Sequence, residues 1–364
     1  MTDCIVIGGG ILGMLTAREL AQAGLQVTLL ERSQTGRESS WAGGGIISPL
    51  YPWRYSPAVT ALASWSQAAY PELAEQLRAE SDIDPEYTRS GLLILDTEER
   101  ARALAWAEQS GNRLEPIERA EIAAYEPSLN RPPAQALRLD NVAQVRNPRL
   151  VKALRAAIEG KVEVREQTEV QELLMVNGRV QGVRTGAGRL AAPRVVVCAG
   201  AWSRNLLAGM GRAPEIEPVH GQMILFRARP GLIRRIVLHQ DRYAIPRLDG
   251  RVLMGSTLEH TGFEKRPTDS AREELLAVAL EMFPALREYP IENHWAGLRP
   301  SSPQGVPYIG AYPMAEGVYI NAGHFRNGVV LAPGSARLLA DILLGREPIL
   351  PSAAYALDAQ RQAT

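Results

Sequence analysis

Cys4-Ile5-Val6-Ile7-Gly8-Gly9-Gly10-Ile11-Leu12-Gly13 is the stretch that decides the fold, and the apolar helical run Met14 to Ala21 follows it. Its first four residues are apolar or nearly so, which predicts a strand buried on both faces. The three glycines of Gly8-x-Gly10-x-x-Gly13 then have separate roles. The first makes a tight turn, the second lets a pyrophosphate approach the backbone, and the third lets helix and strand pack closely. The order of these features predicts a dinucleotide-binding unit.

The segment after the helix completes this unit. Gly24 ends the helix, Gln26 to Leu30 form a second strand, and Glu31 follows it. An acid about 20 residues after the glycines can accept hydrogen bonds from ribose hydroxyls, and it argues against a 2′-phosphate and so against NADP. The motif by itself does not separate NAD from FAD.

Composition restricts the class of protein. The chain has 364 residues, 46% of them hydrophobic and 22% charged, which is enough for a large core and two or three domains. Lys plus Arg and Asp plus Glu both number 40, so there is no basic excess to neutralise a nucleic acid, and we expect no nucleic-acid partner. Cys4 and Cys198 each lie in an apolar strand pattern, which predicts small buried side chains rather than a disulfide framework.

The beginning of the sequence and its hydropathy bear on location. The first strand starts at once, with no room for a charged region, an apolar region and a cleavage site. No run approaches the 18 to 20 or so uninterrupted apolar residues of a membrane-spanning helix. We therefore expect a cytoplasmic enzyme without a transmembrane segment, although peripheral contact with a membrane stays open.

A second cluster of small residues extends from Thr35 to Pro49. Side chains this small would let a flat aromatic ring or another phosphate lie against the backbone, but a flexible lid or hinge fits the same pattern. Ser56-Pro57 then begins a predicted helix to about residue 79, and Asn147-Pro148 begins another, capped helix to about residue 158.

The second half of the chain alternates between two sheets. Asn177-Gly178 predicts a hairpin, and Arg194 to Cys198 predicts a strand of the same sheet as the first one. Residues 217–298 read as antiparallel strands with one helix at about 270–283. Residues 317–321 form a last strand that leads, through a glycine-rich turn ending at Gly328, into a helix to Leu344. Two helix N-termini able to bind phosphate exceed what NAD requires and suit a longer cofactor.

Five motifs, in collinear order over essentially the whole chain, resemble the D-amino-acid oxidase family of FAD-dependent oxidoreductases, and its glycine oxidase branch above all. The first motif is shared by many flavin and NAD proteins, whereas the last two are specific to the family. The five are Gly8 to Gly13 with Glu31, Ser39-Ser40-Trp41-Ala42-Gly43-Gly44, Val197-Cys198-Ala199-Gly200-Ala201-Trp202-Ser203, Trp295-Ala296-Gly297-Leu298-Arg299-Pro300 and Ala322-Gly323-His324-Phe325-Arg326-Asn327-Gly328.

The resemblance implies a fold of the α/β plus α+β class. An FAD-binding, Rossmann-like domain of the glutathione-reductase type would comprise residues 1–80, 141–216 and 299–364. It would be interleaved with an antiparallel-sheet substrate-binding domain of residues 81–140 and 217–298. A homo-oligomer is a further possibility.

The resemblance also implies roles for individual residues. Arg299 would hold a substrate carboxylate, with the Tyr243 hydroxyl assisting and Arg326 as a second arginine, and a guanidinium fork does match a carboxylate bidentately. The residues implied to bind FAD are Gly8, Gly10, Ile11, Leu12, Gly13, Glu31, Arg32, Ser39, Ser40, Ala42, Gly43, Gly44, Val170, Ala199, Gly200, Trp202, Gly323, His324, Phe325, Arg326, Asn327, Gly328 and Val329. The five histidines show no metal-ligand spacing, so we predict no metal site.

The activity implied is oxidative deamination of a small amino acid to an imino acid and then a 2-oxo acid, with dioxygen reduced to peroxide. In the glycine oxidase branch the imine from glycine also feeds thiazole synthesis for thiamine. A D-amino-acid dehydrogenase that passes electrons to a quinone or another acceptor is the alternative. A flavoprotein that binds FAD only structurally, or as a redox sensor, would keep the cofactor without reacting with amino acids.

Two departures from the glycine oxidase pattern bear on the substrate. This chain has Gly45 where a methionine is expected beside the flavin, and Asp241 where a histidine is expected. Both would alter the pocket wall and entrance, so the pocket could admit an amino acid larger than glycine. We also expect FAD to be bound non-covalently, because neither Cys4 nor Cys198 is placed to reach the flavin ring.

Overall fold

The computed structural model describes residues 2–361. In chain order its α-helices are α1 (Ile11–Gln22), α2 (Ser39–Ala42), α3 (Pro57–Ser81), α4 (Arg100–Ser110), α5 (Arg119–Tyr125), α6 (Asn147–Ala157), α7 (Ser203–Leu207), α8 (Asp269–Met282) and α9 (Gly328–Leu344).

The strands of the first half are β1 (Cys4–Ile7), β2 (Val27–Leu30), β3 (Ile46–Ile47), β4 (Thr88–Arg89), β5 (Leu92–Ile94), β6 (Glu115–Glu118), β7 (Gln135–Leu139), β8 (Ala143–Gln144), β9 (Glu163–Arg165) and β10 (Val170–Val176). Those of the second half are β11 (Arg179–Thr185), β12 (Gly188–Ala191), β13 (Val195–Val197), β14 (Glu217–Arg227), β15 (Ile236–His239), β16 (Arg242–Pro246), β17 (Arg251–Gly255), β18 (Ile291–Ser301), β19 (Tyr308–Ala311) and β20 (Val318–Ala322).

The first large sheet has six strands in the order β19-β20-β13-β1-β2-β9. All of its pairs are parallel except β19 with β20. Strand β1 is buried at every residue and lies between β2 and β13, as the continuous apolar run predicted. The prediction that residues 194–198 belong to the sheet of the first strand is confirmed by the register of Ile5 with Val195.

The second large sheet has eight strands in the order β18-β14-β17-β16-β15-β5-β7-β6. Its pairs are antiparallel apart from β15 with β5. Its strands come from residues 92–139 and 217–301, so the chain leaves the parallel sheet and returns to it twice. The mixed α/β and α+β class agrees with the prediction, while the exact domain boundaries stay a prediction.

Two small sheets complete the strand content of the described residues. One is β10-β11-β12, and the other is β3-β8-β4. In the first, Asn177 and Gly178 both have positive φ, 49° and 76°, which is the geometry of the two-residue hairpin that the sequence predicted.

The core around the parallel sheet is built on α9. This helix packs against α1 and α3, and nearly all of its middle is buried. Together with the preceding turn, Phe325–Leu344 has a mean hydropathy of 1.3 and is long and apolar enough to span a membrane, yet 72% of its most apolar window is buried inside the protein. A core helix has the same properties, so this is weak evidence for a membrane span. The cytoplasmic location stays a prediction.

One predicted helix cap is wrong. Helix α6 begins at Asn147 without a side-chain cap, and the Asn147 amide instead donates to the Ser40 carbonyl at 2.8 Å. Asn147 is fully buried. A cap would use the Asn147 Oδ1 as acceptor, and that atom has no hydrogen-bond partner among residues 2–361; the amide nitrogen instead ties α6 to the segment of small residues.

Candidate active site

A cavity of about 640 Å³ runs between the two large sheets. One wall is formed where the parallel strands β1, β2, β13 and β20 end, and the other comes from β14, β16 and β18. Ligands of open α/β sheets bind at the carboxyl ends of the strands, where side chains and helix N-termini converge. The cavity therefore lies where the sequence placed the dinucleotide site.

The first glycine turn lies at one end of this cavity. Gly8 and Gly10 line it, whereas Gly13 is buried behind the turn. A Cβ atom at Gly13 would lie 1.8 Å from the Gly8 carbonyl oxygen, so only glycine lets α1 pack this closely on β1. Gly10, the N-cap of α1, has no side chain to cap the helix; the Ser40 hydroxyl takes the Ile11 N–H at 2.9 Å, which leaves the following N–H groups of the first turn for a ligand.

Glu31 lines the cavity at the end of β2. Its Oε2 accepts from the Gly9 N–H at 2.7 Å and its Oε1 from the Ser33 N–H at 2.9 Å. These bonds fix the orientation of the buried carboxylate, whose remaining lone pairs can accept from ribose hydroxyls. Arg32 also lines the cavity, and its guanidinium lies 3.6 Å from the centre of the Trp202 ring.

The second cluster of small residues forms part of the wall, not a detached lid. The Ser40 hydroxyl accepts from the Ile11 N–H at 2.9 Å, so α2 is joined to the start of α1. Gly43 and Gly44 line the cavity, and Arg247 donates to the Gly44 carbonyl at 2.8 Å. The sequence allowed two interpretations of this segment, a binding surface or a flexible lid or hinge, and the structure favours the binding surface.

The turn before α9 closes the opposite wall. Gly323, His324, Phe325, Gly328 and Val329 line the cavity, and α9 begins at Gly328 with no side-chain cap. Burial lowers the pKa of His324 to about 3, so its ring is neutral at physiological pH. The ring Nε2 bonds with the Ser335 hydroxyl at 2.9 Å.

Arg299 reaches the cavity from β18 and is held by neutral oxygens. Its Nη2 donates to the Ser256 hydroxyl at 2.5 Å, and its Nη1 donates to the Thr257 carbonyl at 3.2 Å. Loss of hydration lowers the pKa of this guanidinium, and the nearby Tyr243 hydroxyl opposes that effect. Because these partners are uncharged, Arg299 keeps a positive charge that an incoming carboxylate can neutralise.

Tyr243 lines the cavity beside Arg299 and is almost fully buried. Its hydroxyl lies 3.9 Å from the Met223 sulfur, and both side chains belong to a buried apolar cluster with Ile46 and Leu50. Arg299 therefore faces a region with an apolar wall, which strengthens its electrostatic attraction for an anion.

Arg326 lines the cavity as well, and Asp241 restrains it. The Arg326 Nη1 lies 3.8 Å from the Asp241 Oδ1, and the Arg54 Nη1 approaches the same oxygen at 3.8 Å. Asp241 is the position at which the family resemblance predicted a histidine. It is half exposed and lies between two arginines, at the side of the cavity.

The structure brings together most of the residues that the sequence predicted, although their roles stay predictions. Those that line the cavity are Gly8, Gly10, Ile11, Leu12, Glu31, Arg32, Ser39, Ser40, Gly43, Gly44, Val170, Ala199, Gly200, Trp202, Tyr243, Arg299, Gly323, His324, Phe325, Arg326, Gly328 and Val329.

Three predicted cofactor-binding residues lie outside the lining. Gly13 packs against Gly8, and the Ala42 carbonyl accepts from the Trp295 indole at 3.1 Å. Asn327 is buried at the N-terminus of α9. These three support the wall from behind.

Sequence reasoning missed several lining residues, of which Ile46, Met223 and Ser256 matter most for the substrate region. They carry no motif. Pairing of β14, β16 and β17 brings Met223 and Ser256 to the cavity, and pairing of β3 with β8 brings Ile46. One signal was available in the sequence. Gly221 lies in a predicted strand, and a glycine in a strand often marks a position where another group approaches the backbone closely. A Cβ atom at Gly221 would lie 2.0 Å from the Arg299 Nη1.

Gly45 lines the cavity, but its lack of a side chain is a backbone requirement. Its φ is 77°, and a Cβ atom there would lie 2.1 Å from the Val145 carbonyl oxygen. The next residue, Ile46, supplies an apolar side chain to the same wall. We predicted a larger pocket because this chain has Gly45 where a methionine is expected. That stays a prediction, and this geometry does not favour it.

The whole chain was compared with protein-family models, and residues 3–342 match the family described as FAD-dependent oxidoreductase, DAO. The chain belongs to this family. The resemblance to the D-amino-acid oxidase family is thereby confirmed, and the chain is an FAD-dependent oxidoreductase of the amino acid oxidase type.

Relatives and solved structures agree with this assignment. The chain is 51% identical to the glycine oxidase of Pseudomonas aeruginosa over 97% of both chains, and 51% identical to that of Pseudomonas putida over 97% of both. The crystal structure of glycine oxidase from Geobacillus kaustophilus superposes with a TM-score of 0.92 at 29% identity, covering 99% of each chain.

The cavity residues fit FAD, the cofactor of this family. The glycine turn at β1 and the uncapped start of α1 suit the pyrophosphate, and Glu31 suits the adenosine ribose. The uncapped N-terminus of α9 at Gly328 presents partial positive charge to the flavin end. Across residues 2–361, no group of three or more His, Cys, Asp or Glu side chains is arranged to hold a metal ion.

All of the flavin should be released when the protein is precipitated with acid. A thioether to flavin requires a thiolate, yet burial raises the pKa of both the Cys4 and the Cys198 thiols to about 12. Cys198 does line the cavity, which the sequence did not anticipate, but it lies at the glycine turn, 3.4 Å from the position of a Cβ atom at Gly13. The absorbance of supernatant and pellet measures the outcome, and a flavin-bearing peptide in a digest would contradict it.

Proposed function

We propose that this protein oxidises glycine or another small amino acid of the sarcosine, D-alanine and D-proline class. The product would be an imino acid, which water hydrolyses to a 2-oxo acid, with release of ammonia from a primary amine such as glycine and of methylamine from sarcosine. The observation that carries the proposal is Arg299, a guanidinium whose hydrogen-bond partners among residues 2–361 are uncharged oxygens, beside an apolar wall. The names of the relatives at 51% identity support glycine as the first substrate to test.

In this proposal Arg299 binds the substrate carboxylate and so fixes the orientation of the Cα–H bond. Both of its terminal nitrogens are already anchored by Ser256 and Thr257, so little rotational freedom is lost on binding. The Tyr243 hydroxyl lies close enough to the guanidinium to raise its pKa, and it can donate to the same carboxylate. Arg326, restrained by Asp241, would contribute a second positive charge at the entrance.

Bound FAD would supply the acceptor for the hydride of the substrate Cα–H bond, and dioxygen would then take up the two electrons and two protons to give hydrogen peroxide. The residues of this chain do the positioning. The cluster of Ile46, Leu50, Met223 and Tyr243 excludes water from the substrate end, which preserves the electrostatic attraction at Arg299. Burial lowers the pKa of His324 to about 3, so this residue is neutral at the operating pH and adds no positive charge to the site.

Anaerobic mixing of the holoenzyme with a panel of amino acids tests the proposal. Glycine, sarcosine, D-alanine and D-proline are added separately, and loss of flavin absorbance identifies the substrate. Failure of every member of the panel, with intact bound FAD, would contradict the proposal and favour a structural or sensing flavoprotein.

Admission of dioxygen to the reduced enzyme then separates the oxidase from the dehydrogenase. An oxidase should yield one peroxide for each substrate consumed, whereas a D-amino-acid dehydrogenase should reduce a quinone or dye and give little peroxide. Supply of the imine for thiamine thiazole synthesis follows from the resemblance, and a cytoplasmic location follows from the sequence pattern; both belong to the same proposal.

A further inference from the structure

A second cavity of about 290 Å³ opens on the other side of the loop that lines the flavin site. We call it the arginine cleft, because Arg89, Arg234, Arg235 and Arg247 contribute to its lining. The remaining lining residues are Glu86, Thr88, Ser90, Gln144, Gly231, Ile233, Pro246 and Leu248.

The positive charge of the four arginines is not balanced by acidic residues in the lining of the cleft. Among the described residues that line it, Glu86 is the one acid, and it is already paired with Arg146 and Arg149 at 3.2 Å each. Arg89 and Arg234 are exposed, and their side chains have no ion pair or hydrogen bond with any residue between 2 and 361. The cleft therefore presents several guanidiniums and no free carboxylate.

Arg247 forms the inner end of the cleft. Its Nη1 donates to the Gln144 Oε1 at 2.6 Å and to the Val145 carbonyl at 2.9 Å, and its Nη2 donates to the Gly44 carbonyl at 2.8 Å. All three acceptors are uncharged, and burial lowers the pKa of this guanidinium to about 10. Glu86 and Asp249 stabilise this cation only without direct hydrogen bonds, so an anion in the cleft would offset more of the cost of its burial.

The backbone of the cleft is rigid where the arginines project. The buried Glu126 carboxylate accepts from the Arg234 N–H at 2.7 Å and from the Arg235 N–H at 2.8 Å. The Arg235 guanidinium lies 4.6 Å from the centre of the Tyr125 ring, which holds it in place. The Arg235 guanidinium is therefore pre-positioned, and such a group loses little entropy when it binds a ligand.

We propose that the arginine cleft binds a small phosphate-bearing anion at a site separate from the flavin cavity. Guanidiniums recognise phosphate through paired N–H donors, and several of them match the multiple charge of a phosphate better than that of a single carboxylate. The volume of the cleft accommodates inorganic phosphate, pyrophosphate or the phosphate end of a larger metabolite. This inference does not depend on the substrate proposed above.

An anion bound in the arginine cleft should affect the flavin cavity. Arg247 lines the cleft and bonds to Gly44, which lines the cavity, so one guanidinium connects the two sites. An anion bound at Arg247 would change the charge and position of a group that holds the cavity wall. Saturating anion should therefore perturb the absorbance spectrum of bound flavin.

Calorimetric titration of the holoenzyme with inorganic pyrophosphate, and separately with inorganic phosphate, tests the site at constant ionic strength. We expect saturable binding of pyrophosphate with a Kd of about 1 mM or tighter. Arg89→Gln with Arg234→Gln should weaken binding at least about tenfold while leaving the fold and the flavin content unchanged. Arg189→Gln is the matched control, since Arg189 is exposed on β12 and outside the cleft.

Three results would contradict this inference. Two of them concern the anion site itself, and the third concerns its connection to the flavin cavity. Absence of saturable heat would refute the site. Binding that persists unchanged in the Arg89→Gln, Arg234→Gln protein would place the anion elsewhere, for example at Arg299, and would also refute it. Binding that depends on Arg89 and Arg234 but leaves the flavin spectrum unchanged would refute the connection through Arg247.

Discussion

Replacement of Arg299 by alanine should lower kcat/KM for the amino acid substrate by at least about a hundredfold while FAD stays bound. A charge-assisted hydrogen bond contributes about 1.5–3 kcal/mol, and misorientation of the Cα–H bond adds to this loss. Lysine at this position should rescue poorly, because an ammonium cannot reproduce the fork of a guanidinium. Steady-state kinetics of Arg299→Ala and Arg299→Lys, with flavin content measured by absorbance, give the result.

Gly221→Ala offers an independent test of the same assignment without removing any charge. The new Cβ atom would lie 2.0 Å from the Arg299 Nη1, so the guanidinium must shift. We expect a large fall in kcat/KM here too. Arg227→Ala is the control. Arg227 lies on the same strand as Gly221 but outside the cavity lining, and its Nη2 lies 3.0 Å from the Glu292 Oε1. Unchanged catalysis by Arg299→Ala would remove the basis of the carboxylate-binding role.

Alanine in place of Gly13 should cause loss of FAD and a large loss of stability. Its Cβ atom would lie 1.8 Å from the Gly8 carbonyl oxygen and 3.0 Å from the Gly8 carbonyl carbon, both backbone atoms that cannot rotate away. Forced overpacking of this kind costs about 1–3 kcal/mol or more, and the resulting shift of α1 would displace the N–H groups that face the pyrophosphate. The flavin-to-protein ratio after gel filtration and the thermal unfolding midpoint measure the two effects.

Gly186→Ala is the matched control for that experiment. No atom lies within 4 Å of a Cβ at Gly186, and its φ is not positive. We expect its free energy of unfolding to remain within about 0.5 kcal/mol of wild type. A Gly13→Ala protein that kept full flavin content and the wild-type midpoint would show that α1 can withdraw without cost.

Local sequence determined the nucleotide half of this protein. The spacing of Gly8, Gly10 and Gly13 predicts where a strand turns into a helix that packs closely against it. The position of Glu31 follows from the length of one helix and one strand. The buried strand 195–197 was placed correctly in the same sheet, because its continuous apolar run and following small residues repeat the pattern of β1. These features depend on contacts within short stretches of chain.

The prediction of Arg299 and Tyr243 as catalytic residues depended on resemblance rather than on pattern. Arg299 and Tyr243 lie 56 residues apart in the sequence, and their proximity follows from the order of β18, β14, β17 and β16 in the antiparallel sheet. Composition and periodicity cannot supply that order. The motif around Arg299 located it only because the family pattern is collinear with this chain.

Other features were decided by the tertiary structure alone. The sequence predicted Asn147 as a helix cap, but this residue is the first of α6, and its amide nitrogen donates to the Ser40 carbonyl of α2. Cys198 looked like a plain core residue, yet the end of β13 brings it to the cavity. The arginine cleft gathers side chains from residues 89, 234, 235 and 247, which share no sequence motif. Backbone turns and apolar strands are local properties, whereas buried polar partners and clustered charge arise only when distant segments pack together.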